Sequence, residues 1–489
     1  MIVDIRPTTR LRGNGRLDVA GSLAPIVAAL RDDTIDLSRL RVVCDWIQYK
    51  NNFREAIDLR AIGSTVEGAM NGAGAELAID LRRSGEVSLE RAVRELLAQR
   101  ARSDKLGRVY LEPWTPATSS RIWEFNALYW RFLQVWEQAT GRRYEESLPG
   151  GESDARNVRA VRELISGLFA VWDDLAVRDA LPEELYIVEL GVGNGNQART
   201  WLDEFRRMDR EHGREYYRRL NYLMCDYSEH VLNTARRAVA HHSTHISSFI
   251  LDATKPATAL GFLRSKVFLV YISNVYDNLP TEEVARIDGQ DYGTEVRAYV
   301  PHADAGRLAR SIGVEPEALY GFVDKLLVLG PELLPEVAPG SFPDVAGATA
   351  FWRATWDAVK LEERYVPLMG LDLHPVAPGI NGEVLRPLLE ADGDVRMHVS
   401  NGAVASFSDT LPLLHPYGRL QCHDLFVTDT HQYRTGFRGP GKYDGSIVNW
   451  VNGPLLQHVG SRSGFDVCYA SFAHRAGTNV VTLITQVRD

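Results

Sequence analysis

Residues 185–196 read LYIVELGVGNGN: an apolar run that ends in an acid, Glu189, and then in the glycines Gly191, Gly193 and Gly195. The run has the length of a strand and is apolar on both faces, as in a strand buried within a parallel sheet. The glycines let the chain turn tightly and bring backbone N–H groups against a ligand. The polar segment 197–207 predicts a helix whose positive end points at that turn. A lone Gly-x-Gly says little; one that leaves a strand and opens a helix says more.

Four similar runs follow, at 220–226 (LNYLMCD), 246–252 (ISSFILD), 267–273 (VFLVYIS) and 419–427 (RLQCHDLFV). Helix-length segments separate them, which predicts an α/β fold with a parallel sheet covered on both faces. Residues 465–472 and 479–487 read as an antiparallel hairpin. Five parallel strands closed by a C-terminal hairpin are the plan of a Rossmann-like class I methyltransferase sheet. That domain is expected over 106–287 and 396–489. Residues 1–105 read as a mixed N-terminal lobe with helical patches at 23–30 and 89–99. Residues 288–395, rich in Pro, Gly and acids, read as an inserted helical lobe with pieces at 307–312, 317–329 and 348–361. An insertion at the carboxyl ends of the strands is placed to act as a substrate or cap lobe. Before the sheet, 119–137 (SSRIWEFNALYWRFLQVWE) predicts a largely buried aromatic helix, and 156–176 a second helix.

The glycine loop fits S-adenosylmethionine (SAM), a nicotinamide or flavin nucleotide, or a purely structural turn. Two details favour SAM: Glu189 stands two residues before Gly191, and Asn196 replaces the third glycine of Gly-x-Gly-x-x-Gly. Asp226, followed by Tyr227, ends the second run, where a carboxylate can accept hydrogen bonds from both ribose hydroxyls. It could instead cap the helix at 229–239. Asp252 ends the third run and would read the adenine amino group, or serve as a turn residue. Ser273-Asn274-Val275-Tyr276-Asp277-Asn278-Leu279-Pro280 follows the fourth run, where the transferred methyl would lie. Asn274 and Asp277 are the candidate catalytic residues, Asp277 as base or anchor; the alternative is a helix cap before residues 281–283. His423-Asp424 could form a second polar pair, although a lone histidine there is more often structural. Residues 443–446 (YDGS) read as a turn close enough to the fifth run to line an acceptor pocket. His241, His242 and His245 lack partners at metal spacing, so no metal is expected.

Of 489 residues, 45% are hydrophobic and 24% charged, with a net charge of −9. This balance is globular and carries no basic nucleic-acid footprint. No apolar run is long enough for a membrane span, and the N-terminus lacks a secretory h-region. Cys44, Cys225, Cys422 and Cys468 are far apart, so neither zinc nor redox spacing exists and a reducing, cytoplasmic compartment is expected. A homodimer is among the assemblies open to such a chain.

In combination, VELGVGNGN, the strand ending CDYS, SNVYDNLP, GRLQCHDLF and YDGSIVNWVNGPLL before FDV resemble the MidA-type methyltransferases. That family includes a mitochondrial complex I assembly factor that methylates a protein arginine. The resemblance spans roughly 106–287 and 396–489. It implies that Gly191, Gly193, Gly195 and Asp226 bind SAM and that the acidic motif after the fourth strand handles the acceptor. The family pattern there is Asn-Glu-x-x-Asp-Ala-Leu-Pro. This chain keeps Asp277 but has Asn274 in place of the Glu, removing one of the two carboxylates that suit a guanidinium. The expected activity is SAM-dependent N-methylation of a protein or peptide side chain, arginine among them. The alternatives are a small-molecule N- or O-methyltransferase and a methyltransferase-like assembly scaffold.

Overall fold

The computed structural model describes residues 2–5, 19–31, 40–45, 52–63, 74–80, 88–101, 107–144, 157–391, 393–433 and 439–488. Seven strands form one sheet: β1 (Leu185–Leu190), β2 (Leu220–Asp226), β3 (Ile246–Ile250), β4 (Val267–Ser273), β5 (Leu414–Asp424), β6 (Phe465–Ser471) and β7 (Val481–Val487). Their order is β6-β7-β5-β4-β1-β2-β3. β3, β2, β1, β4 and β5 pair in parallel, and β7 runs antiparallel to both β5 and β6. The chain builds outward from β1 to β3, then returns to the other side of β1 as β4. The carboxyl ends of β1 and β4 therefore flank the switch point where a crevice opens. Register aligns Leu190 with Cys225 on one side and Ile272 on the other, so the loops after β1, β2 and β4 leave the sheet at one level.

Burial explains the strand composition. Val188, Val270, Ile272, Leu420 and Cys422 are fully buried, each aliphatic side chain contributing about 1.5–3 kcal/mol. The helix Asn196–Glu211 buries Ala198, Trp201, Leu202, Phe205 and Met208 at three- and four-residue spacing. The polar loop after β1 thus passes directly into an amphipathic helix seated on the sheet.

The flanking regions depart from the expected lobes. Strands Ile2–Ile5, Leu40–Asp45, Gly74–Asp80 and Ile57–Ile62 continue through Lys360–Pro367, Gln290–Pro301 and Glu283–Ile287 to Val395–His398 in a second sheet. The insertion, expected to be helical, does carry helices His302–Ser311, Leu319–Leu329 and Val345–Ala358. It also supplies strands to the sheet begun by the N-terminal segment. The charged residues of these strands find their partners across the ladder: Arg297 bonds Glu362 and Arg364 bonds Glu295 across neighbouring strands. Residues 281–283 cap no helix, since Glu283 opens a strand.

The aromatic segment is two helices, Arg121–Arg131 and Leu133–Thr140, broken at Phe132. The fifth run is likewise split, with Phe426–Val427 leaving β5 to pair with Val451–Asn452. Among the described residues no helix is long and apolar enough to cross a membrane.

Candidate active site

Gly191, Gly193 and Gly195 have φ of 76°, 56° and 79°, left-handed values that glycine adopts at no steric cost. A Cβ on Gly191 would lie 2.3 Å from Val275 Cγ2, and one on Gly195 2.6 Å from Ala235 Cα. A Cβ on Gly193 would meet nothing within 4 Å. Gly191 and Gly195 therefore let the loop nest against its neighbours, while Gly193 faces open space.

That space is a cavity of about 600 Å³ at the carboxyl ends of the strands. Gly191, Gly193, Asp226, Tyr227, Asp252 and Asn274 all line it. Asp226 ties two loops together: Oδ2 accepts from Gly193 N (3.2 Å) and Oδ1 from Ser228 N (3.1 Å). Burial pushes its carboxyl up to about 6, against the pull of those bonds. The cap of helix Glu229–Ala238 is Ser228 rather than Asp226, through its hydroxyl at Val231 N. Asp252 Oδ1 accepts from Thr254 N and Oγ1 at 2.9 and 2.7 Å, so the turn role and the cavity position coexist.

Other expected residues lie elsewhere. Glu189 is absent from the cavity wall; it is 3% exposed beneath the loop and accepts from the Tyr222 hydroxyl at 2.7 Å. Burial raises its carboxyl to about 8. Asp277 also points away from the cavity and is 5% exposed. It neighbours Asp424, whose Oδ2 accepts from Val275 N (3.1 Å), Tyr276 N (2.8 Å) and Asp277 N (3.4 Å). With Leu425 N on Oδ1 at 2.7 Å, four backbone donors favour Asp424 as the anion, and burial together with that charge holds Asp277 well above the usual carboxylate range. Asn274 does face the cavity, in left-handed backbone at φ 52°, with its N–H bonded to His423 O at 2.9 Å.

His423 is a satisfied core residue: its Nδ1 meets Thr482 Oγ1 at 2.9 Å, and burial lowers its imidazole to about 4. The 443–446 turn does not reach the cavity either. Asp444 accepts from Tyr129 Oη (3.0 Å) and Trp136 Nε1 (3.1 Å), so its carboxylate anchors the aromatic helices. His241 and His242 do converge, because both Nε2 atoms meet Asp203 Oδ1, at 2.8 and 3.1 Å. That partner sits 38 residues before His241, beyond the reach of spacing arguments.

The wall that sequence reading missed comes from the aromatic helices and the residues after them: Trp123, Asn126, Trp130, Leu133, Glu137 and Tyr144. Asn126 pins this wall in place, donating to Asn278 O (2.8 Å) and accepting from Ile447 N (2.8 Å). A helix apolar on most faces reads as buried, and only its packing reveals which aromatics border a void.

The sequence matches no family model and no curated protein. Solved structures do resemble the fold. An uncharacterised COG1565 superfamily protein from Burkholderia thailandensis is 12% identical, with 76% of this chain and 87% of its own covered and a TM-score of 0.41. A COG1565 superfamily member from the same organism, bound to S-adenosyl-homocysteine, is 12% identical, with 76% and 88% covered and a TM-score of 0.44. The CcbJ methyltransferase from Streptomyces caelestis is 10% identical, with 75% and 99% covered and a TM-score of 0.32.

Proposed function

We propose that this chain is a SAM-dependent methyltransferase. The observation that carries the reading is Asp226: one carboxylate at the end of β2 both receives the Gly193 N–H and borders the cavity. That is the arrangement a ribose diol needs beside a glycine loop. The donor set fits the rest of the cofactor. Gly193 leaves room for close approach, the N-terminus of helix Asn196–Glu211 opens beside it, and Asp252 lies at the end of the neighbouring strand. The strand order supports the class I plan over other open α/β sheets. Glu189 supports the site from beneath by holding Tyr222 between adjacent strands.

Bound SAM would supply a sulfonium methyl group for in-line transfer. The protein's part is to orient the acceptor and take one proton. For a protein arginine the support is thin. A guanidinium is best held by two carboxylates, yet Asp277 and Asp444 are engaged inside the fold. The cavity wall favours the small-molecule alternative.

Calorimetric titration with SAM, run beside NAD, tests the reading. Micromolar SAM binding is expected, weakened more than about tenfold (~1.4 kcal/mol) by Asp226→Ala. Absence of SAM binding, or indifference to Asp226, sinks it.

A further inference from the structure

The part of the cavity outside the cofactor loops differs in chemistry from a guanidinium site. Its wall is largely aromatic and aliphatic, with Trp123, Trp130, Leu133 and Tyr144, and it carries Asn126 and the cationic Arg143 as well. Trp130 and Tyr144 meet edge to face, centroids 5.3 Å apart at 79°. Such a pair forms a corner with one ring face and one ring edge, which a flat ligand ring can continue as a further offset or T-shaped contact. Among the described residues only three carboxylates line the cavity: Asp226 and Asp252 on the cofactor loops, and Glu137 on this wall. Glu137 Oε1 accepts from Tyr144 N at 2.8 Å. That bond orients the carboxylate at the backbone of Tyr144.

Resting on the methyltransferase reading, we propose that the acceptor is a small, flat, neutral molecule bearing one N–H or O–H. It is held by Trp130 and Tyr144, and Glu137 is the carboxylate that receives its proton. In the transfer the acceptor's lone pair forms the new bond to the methyl carbon. The carbon–sulfur bond breaks and its electron pair stays on sulfur as the thioether. The acceptor's proton passes to Glu137 and then to solvent. An apolar, aromatic wall with a few polar groups set into it is how small-molecule sites combine affinity with orientation. A cationic side chain entering here would find one carboxylate where it needs two.

The test uses the full chain. SAM binding is measured first; if it is absent, the methyltransferase reading itself fails. With SAM binding established, the protein saturated with S-adenosylhomocysteine is titrated with indole, phenol and N-acetylarginine amide by calorimetry. Methyl transfer from SAM to the same three compounds and to an arginine peptide is then measured. Saturable binding of indole or phenol is expected, weakened about tenfold in Trp130→Ala and restored in Trp130→Phe. For an aromatic probe that is methylated, Glu137→Gln should lower kcat about a hundredfold with KM little changed. The inference is overturned if SAM binds but neither aromatic probe does, or if the arginine peptide is the better acceptor. An unchanged kcat in Glu137→Gln overturns the role of that carboxylate.

Discussion

Asp226 borders the cavity with the carboxylate that also holds the glycine loop, and its weakened acidity makes the site pH-sensitive. Burial without a cation favours the protonated acid, so the neutral form is present below about 6 and the carboxylate above it. A ribose diol donates hydrogen bonds and needs the charged form. SAM affinity should therefore be flat above pH 7 and fall below about 6. In Asp226→Asn it should be weaker and level across the range, which calorimetry at several pH values checks. The Asp277–Asp424 pair gives the opposite kind of forecast. Burial and the neighbouring charge hold Asp277 toward its protonated form, and Asp424 receives four backbone N–H groups, from Leu425, Val275, Tyr276 and Asp277. Asp277→Asn should change stability by less than about 1 kcal/mol, since an amide N–H can replace the acid O–H. Asp424→Ala orphans those donors and should cost about 3 kcal/mol in urea unfolding. Equal costs would mean the proton sits on the other acid. Asp226 and Asp252 were legible because strand ends place side chains at a known edge of the sheet. For Asp277 the sequence cannot show which way the side chain turns in the 3₁₀ segment Tyr276–Asn278, and the structure turns it away from the cavity wall.

The loop between β1 and the helix Asn196–Glu211 separates two uses of glycine. Gly193 and Gly195 both have positive φ, but only Gly195 presses on another backbone, at Ala235. Gly193→Ala should fold with a loss of about 1–2 kcal/mol from strain alone, while its methyl group obstructs the cofactor. Gly195→Ala adds overlap with a helix backbone to the same strain and should lose clearly more in thermal unfolding. Comparable losses would mean that the helix Glu229–Ala238 yields to the new methyl. At this scale much was readable: the strands of the seven-stranded sheet and the helices between them show the period and punctuation of their sequence. The aromatic segment was read as one helix because its composition is continuous across Phe132, where the backbone leaves helical values at φ −111° and ψ 31°. That break separates Trp130 from Leu133 and Glu137 along the cavity wall.

Across the whole molecule, the second sheet depends on ion pairs that no local pattern announces. Arg60 bonds Glu76 at 3.0 Å and Glu363 at 3.1 Å, Arg54 bonds Glu363 at 2.8 Å, and Arg396 reaches Glu76 from 320 residues away. Arg60 and Glu76 are fully buried, and Arg396 is 2% exposed. Nothing local in the sequence joins these charges to partners hundreds of residues away, and so the N-terminal segment and the insertion read as separate lobes. Packed together they are mutually obligatory, because a buried charge without its partner costs more than the pair contributes. Glu76→Ala removes the buried carboxylate that meets both Arg396 and Arg60. It should destabilise the protein by about 3–5 kcal/mol. If the N-terminal strands and the insertion form one cooperative unit, far-UV circular dichroism and tryptophan fluorescence should still lose signal together in urea. Two separated transitions would mean that the Ile57–Ile62 and Lys360–Pro367 strands, parallel neighbours through only Arg364–Ala61 and Tyr365–Ile62, join two bodies that fold apart. The short pairing makes the ion cluster, rather than the ladder, the part of the joint whose loss should be felt.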